Sequence, residues 1–177
     1  MFKKSLLALA LFSCIQYSCS SSTKKDAEKI PGNKDAKSVE QEQAKKTLPN
    51  MALVGLDGKQ FNAQTLKGKK TIFILFQPDC EHCQNESKQI AGRLDKFSKY
   101  ELYFISTAAI TDIQKFSVDY KLAGHPNIHF AKTEVQHIID SFGPIPAPSL
   151  FIYSESGEQL NSFQGEMEID VITKYLQ

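Results

Sequence analysis

The chain has 177 residues, with 21 Lys and Arg against 20 Asp and Glu. That length suits one domain with spare chain for a tail, and the near-balanced charge gives nucleic acid or an acidic partner nothing to bind. Four cysteines, two of them in the first nineteen residues, exclude a small multi-disulfide scaffold.

Residues 1–19 read as a targeting segment. Met1-Phe-Lys-Lys-Ser supplies positive charge, and Leu6-Leu-Ala-Leu-Ala-Leu-Phe12 is an apolar stretch far too short to span a bilayer, which fits the core of a signal peptide. Leu11-Phe-Ser-Cys14 resembles a bacterial lipobox, in which cleavage precedes a cysteine that becomes acylated. Gln16-Tyr-Ser-Cys19 is the alternative: its Ser20-Ser-Ser-Thr flank suits a tether better, but Gln16 suits the lipobox worse. Cys14 is preferred as the lipid attachment site, and an ordinary cleaved signal is the remaining reading. Each takes the protein out of the cytoplasm, and acylation would anchor it by lipid chains with no spanning helix. Residues 20–46, rich in Lys, Glu, Asp, Gln and Ser, are expected to be a flexible charged linker.

A folded domain is expected over 47–177. Met51-Ala-Leu-Val-Gly-Leu and Lys59-Gln-Phe-Asn flank the turn signal Asp57-Gly58 and predict a hairpin. Ile72 to Phe76 is an unbroken run of β-formers, as in a central strand covered on both faces, and Pro78 should stop it near Gln77. Cys83, Ser87, Ile90, Leu94 and Phe97 then recur at helical spacing, which predicts one amphipathic helix beginning near Glu81. Glu101 to Thr107 reads as a second buried strand. Ile113, Phe116, Tyr120 and Leu122 mark a helix that ends by Gly124-His-Pro126. Asn127 to Ala131 is a weak strand, and Val135, Ile138, Ile139 and Phe142 mark a short helix closed by Gly143-Pro144. Ser149 to Tyr153 and Gln159 to Phe163 form a hairpin around Ser156-Gly157, and a last helix turns Ile169, Ile172 and Leu176 inward. This order predicts an α/β fold with helices on both faces of the sheet.

The chemistry centres on Cys80-Glu-His-Cys83. Cys80 falls at the predicted helix start, where unpaired N–H groups and the positive end of the dipole favour a thiolate. Cys83 lies one turn deeper, close enough to close a disulfide with it. A zinc site would need two further ligands, and no second Cys pair or His-x-His cluster is present. A purely structural bridge would close too small a loop to stabilise much. A redox pair is the reading that fits strand, turn and helix start together. Glu86 lies at the edge of the apolar arc. Partly buried, it would hold its proton more tightly and could exchange one with Cys83; a solvated helix carboxylate is the plain alternative. His125, His129 and His137 have no metal-ligand spacing, and no metal or cofactor is expected.

Three motifs resemble the thioredoxin superfamily, and within it the membrane-tethered TlpA/ResA-like thiol–disulfide oxidoreductases. They are Phe76-Gln-Pro-Asp-Cys80-Glu-His-Cys83, Cys83-Gln-Asn-Glu86, and Phe142-Gly143 through Ala147-Pro148-Ser149-Leu-Phe-Ile. The resemblance covers about 51–177. It implies a thioredoxin-like fold: a central mixed sheet flanked by helices, with an added N-terminal β-hairpin. It also implies a Cys80–Cys83 disulfide in the oxidised form, Cys80 as nucleophile, Cys83 as resolving thiol and Glu86 as its proton partner. Pro148 would be cis, with the backbone of Ala147 facing the cysteines and pairing with an extended substrate. Three features depart from the pattern. Gln77 and Asp79 stand where the family has Trp, His82 replaces the usual Pro between the cysteines, and Pro146 replaces a Gly.

Asp79, Glu81 and Glu86 put negative charge near the thiols, with His82 the one possible cation between them, so a reductant or isomerase is expected more than an oxidase. The expected partners are protein thiols and disulfides and an upstream electron-donor redox protein, the protein itself being a monomer. Two alternatives are a peroxiredoxin-like peroxidase, which would want Thr where Gln77 stands, and a non-enzymatic copper-binding module, whose relatives space their cysteines one residue wider.

Overall fold

The computed structural model describes residues 46–176. The targeting segment with Cys14 and Cys19, and nearly all of the expected linker, lie outside the described residues. Seven strands form one mixed sheet: β1 (Ala52–Gly55), β2 (Gln60–Asn62), β3 (Thr71–Leu75), β4 (Glu101–Ser106), β5 (Ile128–Lys132), β6 (Ser149–Tyr153) and β7 (Gln159–Gln164). Their spatial order is β2-β1-β5-β4-β3-β6-β7. Four α-helices accompany them: α1 (Glu81–Ala91), α2 (Ile110–Asp119), α3 (Val135–Phe142) and the single turn α4 (Ile169–Ile172).

β3 lies inside the sheet between β4 and β6, and every one of its side chains is buried. It runs parallel to β4 and antiparallel to β6, with Ile74 opposite Phe104 on one side and Leu150 on the other. Strand alternation splits its residues between two cores. Ile72, Ile74 and Phe76 meet Leu102, Phe104, Phe130 and the inner faces of α1, α2 and α4. Phe73 and Leu75 meet Met51, Leu53, Ile105, Phe151 and Tyr153, with Ile138 and Phe142 of α3 packed against them. The β3-α1-β4 and β4-α2-β5 connections join parallel neighbours, and α1 is thereby carried from the end of β3 across the first of these cores.

β1 and β2 pair antiparallel, Leu53 opposite Phe61, around a turn in which Gly58 adopts φ 78°, a left-handed conformation that glycine takes without steric cost. The Gly58 N–H bonds the Gly55 carbonyl at 2.9 Å and Asp57 accepts from the Lys59 N–H at 3.0 Å. β1 also pairs antiparallel with β5, so the hairpin extends the sheet past the parallel strands.

Three elements differ from the sequence expectation. The last helix is the single turn α4 followed by a 3₁₀ turn, Thr173–Tyr175, and Leu176 lies beyond both in extended conformation. The helical stripe through Leu94 and Phe97 is not one helix: α1 stops at Ala91, Gly92 caps it, and Leu94–Phe97 is a separate 3₁₀ turn. Glycine is among the poorest helix formers, and with Arg93 at φ −137° the chain leaves helical geometry before re-presenting Phe97 to the same core. α3 splits its stripe. Ile138 and Phe142 face inward, while Val135 and Ile139 stay 58% and 44% exposed along a groove of about 500 Å³.

Candidate active site

β3 ends at Leu75, and the Phe76 N–H still reaches the Ile105 carbonyl at 3.0 Å. Pro78 breaks the ladder, and α1 begins at Glu81 with Cys80 as its N-cap. In place of the usual hydroxyl or carboxylate, the Cys80 sulfur accepts from the Cys83 N–H at 3.3 Å. The same thiol donates to the Ala147 carbonyl at 3.6 Å. Ala147 precedes Pro148 across a cis peptide bond. Residues 67 apart in sequence thus meet at one point, the part-buried thiol lying between a helix start and a backbone carbonyl.

Cys83, one turn on, is buried, 1% exposed. Both cysteines are free thiols in this structure, the dithiol form, so their pairing as a disulfide is a matter of function taken up below. Burial raises the pKa of Cys83 strongly; the thiol of Cys80 beside it adds to this, and a backbone hydrogen bond with Gln77 pulls the other way.

Glu86 is the second buried polar group of α1, 2% exposed. Its Oε2 accepts from the Met167 N–H at 3.2 Å, while Oε1 is the one buried side-chain oxygen or nitrogen without a hydrogen-bond partner among the described residues. Burial pushes the carboxyl up to about 7; the Met167 N–H opposes this and the negative charge of Glu166 adds to it. A carboxyl poised near neutrality, three residues along a helix from a buried thiol, has the position and proton affinity to exchange a proton with it.

The other residues singled out in the sequence are more peripheral. Asp79, Glu81 and His82 are exposed around the helix start. His82 is paired, its Nδ1 lying 2.7 Å from Glu166 Oε2. Lys88, the nearest lysine of α1, sits 5.8 Å over the Tyr120 ring. Of the scattered histidines, His129 is held by Glu101 at 2.6 Å and stacks on Tyr103, and His137 lies 3.3 Å from the Thr133 hydroxyl. No cluster of three or more potential metal-binding side chains occurs among the described residues.

Sequence reading passed over two features. Gln77, noted as the strand's end and for the residues it replaces, donates from its amide to the Thr107 hydroxyl at 2.8 Å and accepts from the buried Ser106 hydroxyl at 3.2 Å, tying the loop before Cys80 to the end of β4. The adjacent hydroxyls of Ser106-Thr107 at the end of an apolar strand were the available signal. Glu166 and Met167 had none, because their partners on α1 are more than 80 positions away.

Residues 44–158 match the model of the AhpC/TSA family. Thiol-disulfide oxidoreductase ResA of Bacillus thuringiensis subsp. konkukian is 25% identical over 134 residues, 74% of this chain and 75% of that protein, and ResA of Bacillus anthracis is 26% identical over 77% and 79%. Among solved structures, a secreted Mycobacterium tuberculosis disulfide oxidoreductase homologous to E. coli DsbE aligns with TM-score 0.61 at 18% identity, covering 72% of this chain and 94% of that one. The thioredoxin domain of a Bacteroides vulgatus thiol-disulfide oxidoreductase aligns with TM-score 0.59 at 17% identity over 76% and 99%. The fold and the profile agree: this chain belongs to the AhpC/TSA family, on the ResA-like side of the thioredoxin superfamily, and is an oxidoreductase.

Proposed function

We infer that the protein is an extracytoplasmic thiol–disulfide oxidoreductase that reduces or isomerises disulfides of secreted or envelope proteins through Cys80 and Cys83. The observation that carries this is the pairing of one half-buried thiol at a helix N-terminus with one buried thiol and a buried carboxyl near neutrality on the same helix. As a thiolate, Cys80 attacks one sulfur of a client disulfide; that S–S bond breaks and the second client sulfur leaves as a thiolate, which takes a proton from water. Cys83 then passes its proton to Glu86 and attacks the Cys80 sulfur, forming the Cys80–Cys83 disulfide and releasing the client as a dithiol. Two electrons move to the client, and a separate donor dithiol protein must return them.

Ala147 and Pro148 are assigned to client binding. The Ala147 carbonyl already accepts from the Cys80 thiol, so a client strand laid along this edge is brought to the sulfur by backbone pairing. The apolar groove formed by Val135, Ile139, Ile145 and Pro146 runs up to Ala147 and gives a client side chain a seat. Asp79, Glu81 and His82 set the charge at the mouth, favouring a reductant or isomerase over an oxidase. Attachment by acylation of Cys14, or of Cys19, with residues 20–46 as spacer, would hold the domain at a membrane facing the periplasm.

The test is trapping with Cys83→Ser. Mixed disulfides between Cys80 and secreted or envelope proteins are expected to accumulate on that variant and to be absent from the double variant with Cys80→Ser. No client adducts, or peroxide consumption that survives Cys83→Ser, would contradict the assignment and favour a peroxidase.

A further inference from the structure

The segment after β7 lies along α1 and touches it once per turn. Glu166 Oε2 is 2.7 Å from His82 Nδ1, the Met167 N–H reaches Glu86 Oε2 at 3.2 Å, the Ile169 N–H reaches Gln89 Oε1 at 3.1 Å, and Asp170 Oδ1 is 2.8 Å from Arg93. Three of the partners, His82, Glu86 and Gln89, are spaced four and three residues apart on α1 and so share one face, and Arg93 lies just past its end. This strap makes the contacts that fix the two groups bracketing Cys83 on that face, His82 and Glu86. At its first contact stands Glu166, partly sheltered, with a side chain 28% exposed against 71% for His82.

We propose that Glu166 is a positioning residue for disulfide exchange: by gripping His82 it seats the strap so that the Met167 N–H orients Glu86 for proton exchange with Cys83. This rests on the assignment of Glu86 made above. Glu166 is placed to act on both ends of the cysteine turn. It fixes the dipeptide between the cysteines through His82. It also brings a negative charge near Glu86, which disfavours ionisation of that carboxyl, while the Met167 N–H favours it. The charged and titratable groups around Glu86 are Cys83 from its own helix and Glu166 from the strap, with His82 beyond Glu166. Arg93 and Asp170 close the far end as a pair of their own. The mechanism above needs Glu86 to take a proton and later release it, so a residue that sets both its orientation and its charge environment shapes the rate without touching a reacting sulfur.

The experiment uses the full-length protein, Glu166→Gln and Glu166→Asp. The Glu86 carboxyl is titrated by carbon-detected NMR, and insulin reduction is followed from pH 5.5 to 8.5. Glu166→Gln keeps an acceptor for His82 but removes the charge. The Glu86 midpoint is expected to fall by about half a pH unit, and reduction at pH 6 to rise about twofold with no rise at pH 8.5, because more Glu86 is then ionised at the lower pH. Glu166→Asp, which keeps the charge, is expected to restore most of the wild-type profile. A merely structural contact would instead lower activity at every pH and leave the midpoint where it was. An unmoved midpoint in Glu166→Gln overturns the proposal, and so does a moved midpoint with an unchanged rate profile. The underlying assignment is tested separately in the same series, since it fails if the wild-type profile contains no limb that Glu86→Gln removes.

Discussion

The two faces of the sheet are built from the same strands and reach different ends. On the face away from α1, Phe73, Leu75, Phe151 and Tyr153 pack with the N-terminal segment, Phe73 lying 5.1 Å from the Tyr153 ring and 6.1 Å from that of Tyr103. On the α1 face, Ile72, Ile74 and Phe76 form an equally apolar layer, but it also encloses a thiol, and α1 buries a carboxyl beside that thiol with one oxygen unpartnered. An unsatisfied buried acceptor costs ~1–3 kcal/mol. The α1 face carries this cost beside a buried cysteine, whereas the buried residues of the opposite face are apolar side chains that need only a core to explain them.

This contrast makes the largest predicted effect one that spares the chemistry. Phe73→Ala removes a fully buried ring from the packing face and should destabilise the domain by ~3–5 kcal/mol in denaturant unfolding. The alkylation rate of Cys80 in the fraction that stays folded should be unchanged. A large change in that rate would show that the two faces are not separable.

Glu86→Gln tests the other face. The carboxyl is held at about 7 in the folded protein against an ordinary 4.5. Its contribution to stability is therefore fully present below about pH 4.5 and is lost as pH rises through about 7, on the order of 3 kcal/mol in all. Subtracting the variant's stability from that of wild type across pH 4–8.5 should leave a difference that falls by roughly this amount toward alkaline pH. A flat difference would mean that Glu86 is not held in a shifted state. Insulin reduction by the same variant should fall by about 10²-fold, the usual size of a general acid–base contribution. The smallest effect belongs to the sheet's far edge. Asn62 caps the Ala63–Leu66 turn by accepting from the Gln64 N–H at 2.9 Å, so Asn62→Ala should cost ~1 kcal/mol and change neither pH profile.

Much of the scaffold was legible from local pattern. The apolar run at Ile72–Phe76, the turn signal at Asp57-Gly58 and the stop at Pro78 each reflect an effect that acts over a few residues, and each appears where expected. Position alone left Glu86 undecided between buried and solvated, because the strap that covers it comes from the other end of the domain. The continuous helix through Phe97 failed for a related reason. Apolar spacing records which side chains face the core, and a helix broken at Gly92 and a 3₁₀ turn can satisfy the same spacing. The exposed Val135 and Ile139 show the limit of periodicity, since an apolar stripe marks a helix but not whether a neighbour covers all of it. The juxtaposition of Ala147 with Cys80 was suggested by family resemblance and by nothing in the spacing.

The central claim is that Cys80 and Cys83 together carry two electrons to a client disulfide, and differential alkylation with mass analysis tests it most directly. Reduced protein incubated with insulin, quenched in acid and alkylated should show both cysteines protected as one intramolecular bond, in proportion to the insulin thiols released. If both remain alkylatable while insulin is reduced, or if insulin stays oxidised in the presence of the fully reduced pair, the claim is contradicted.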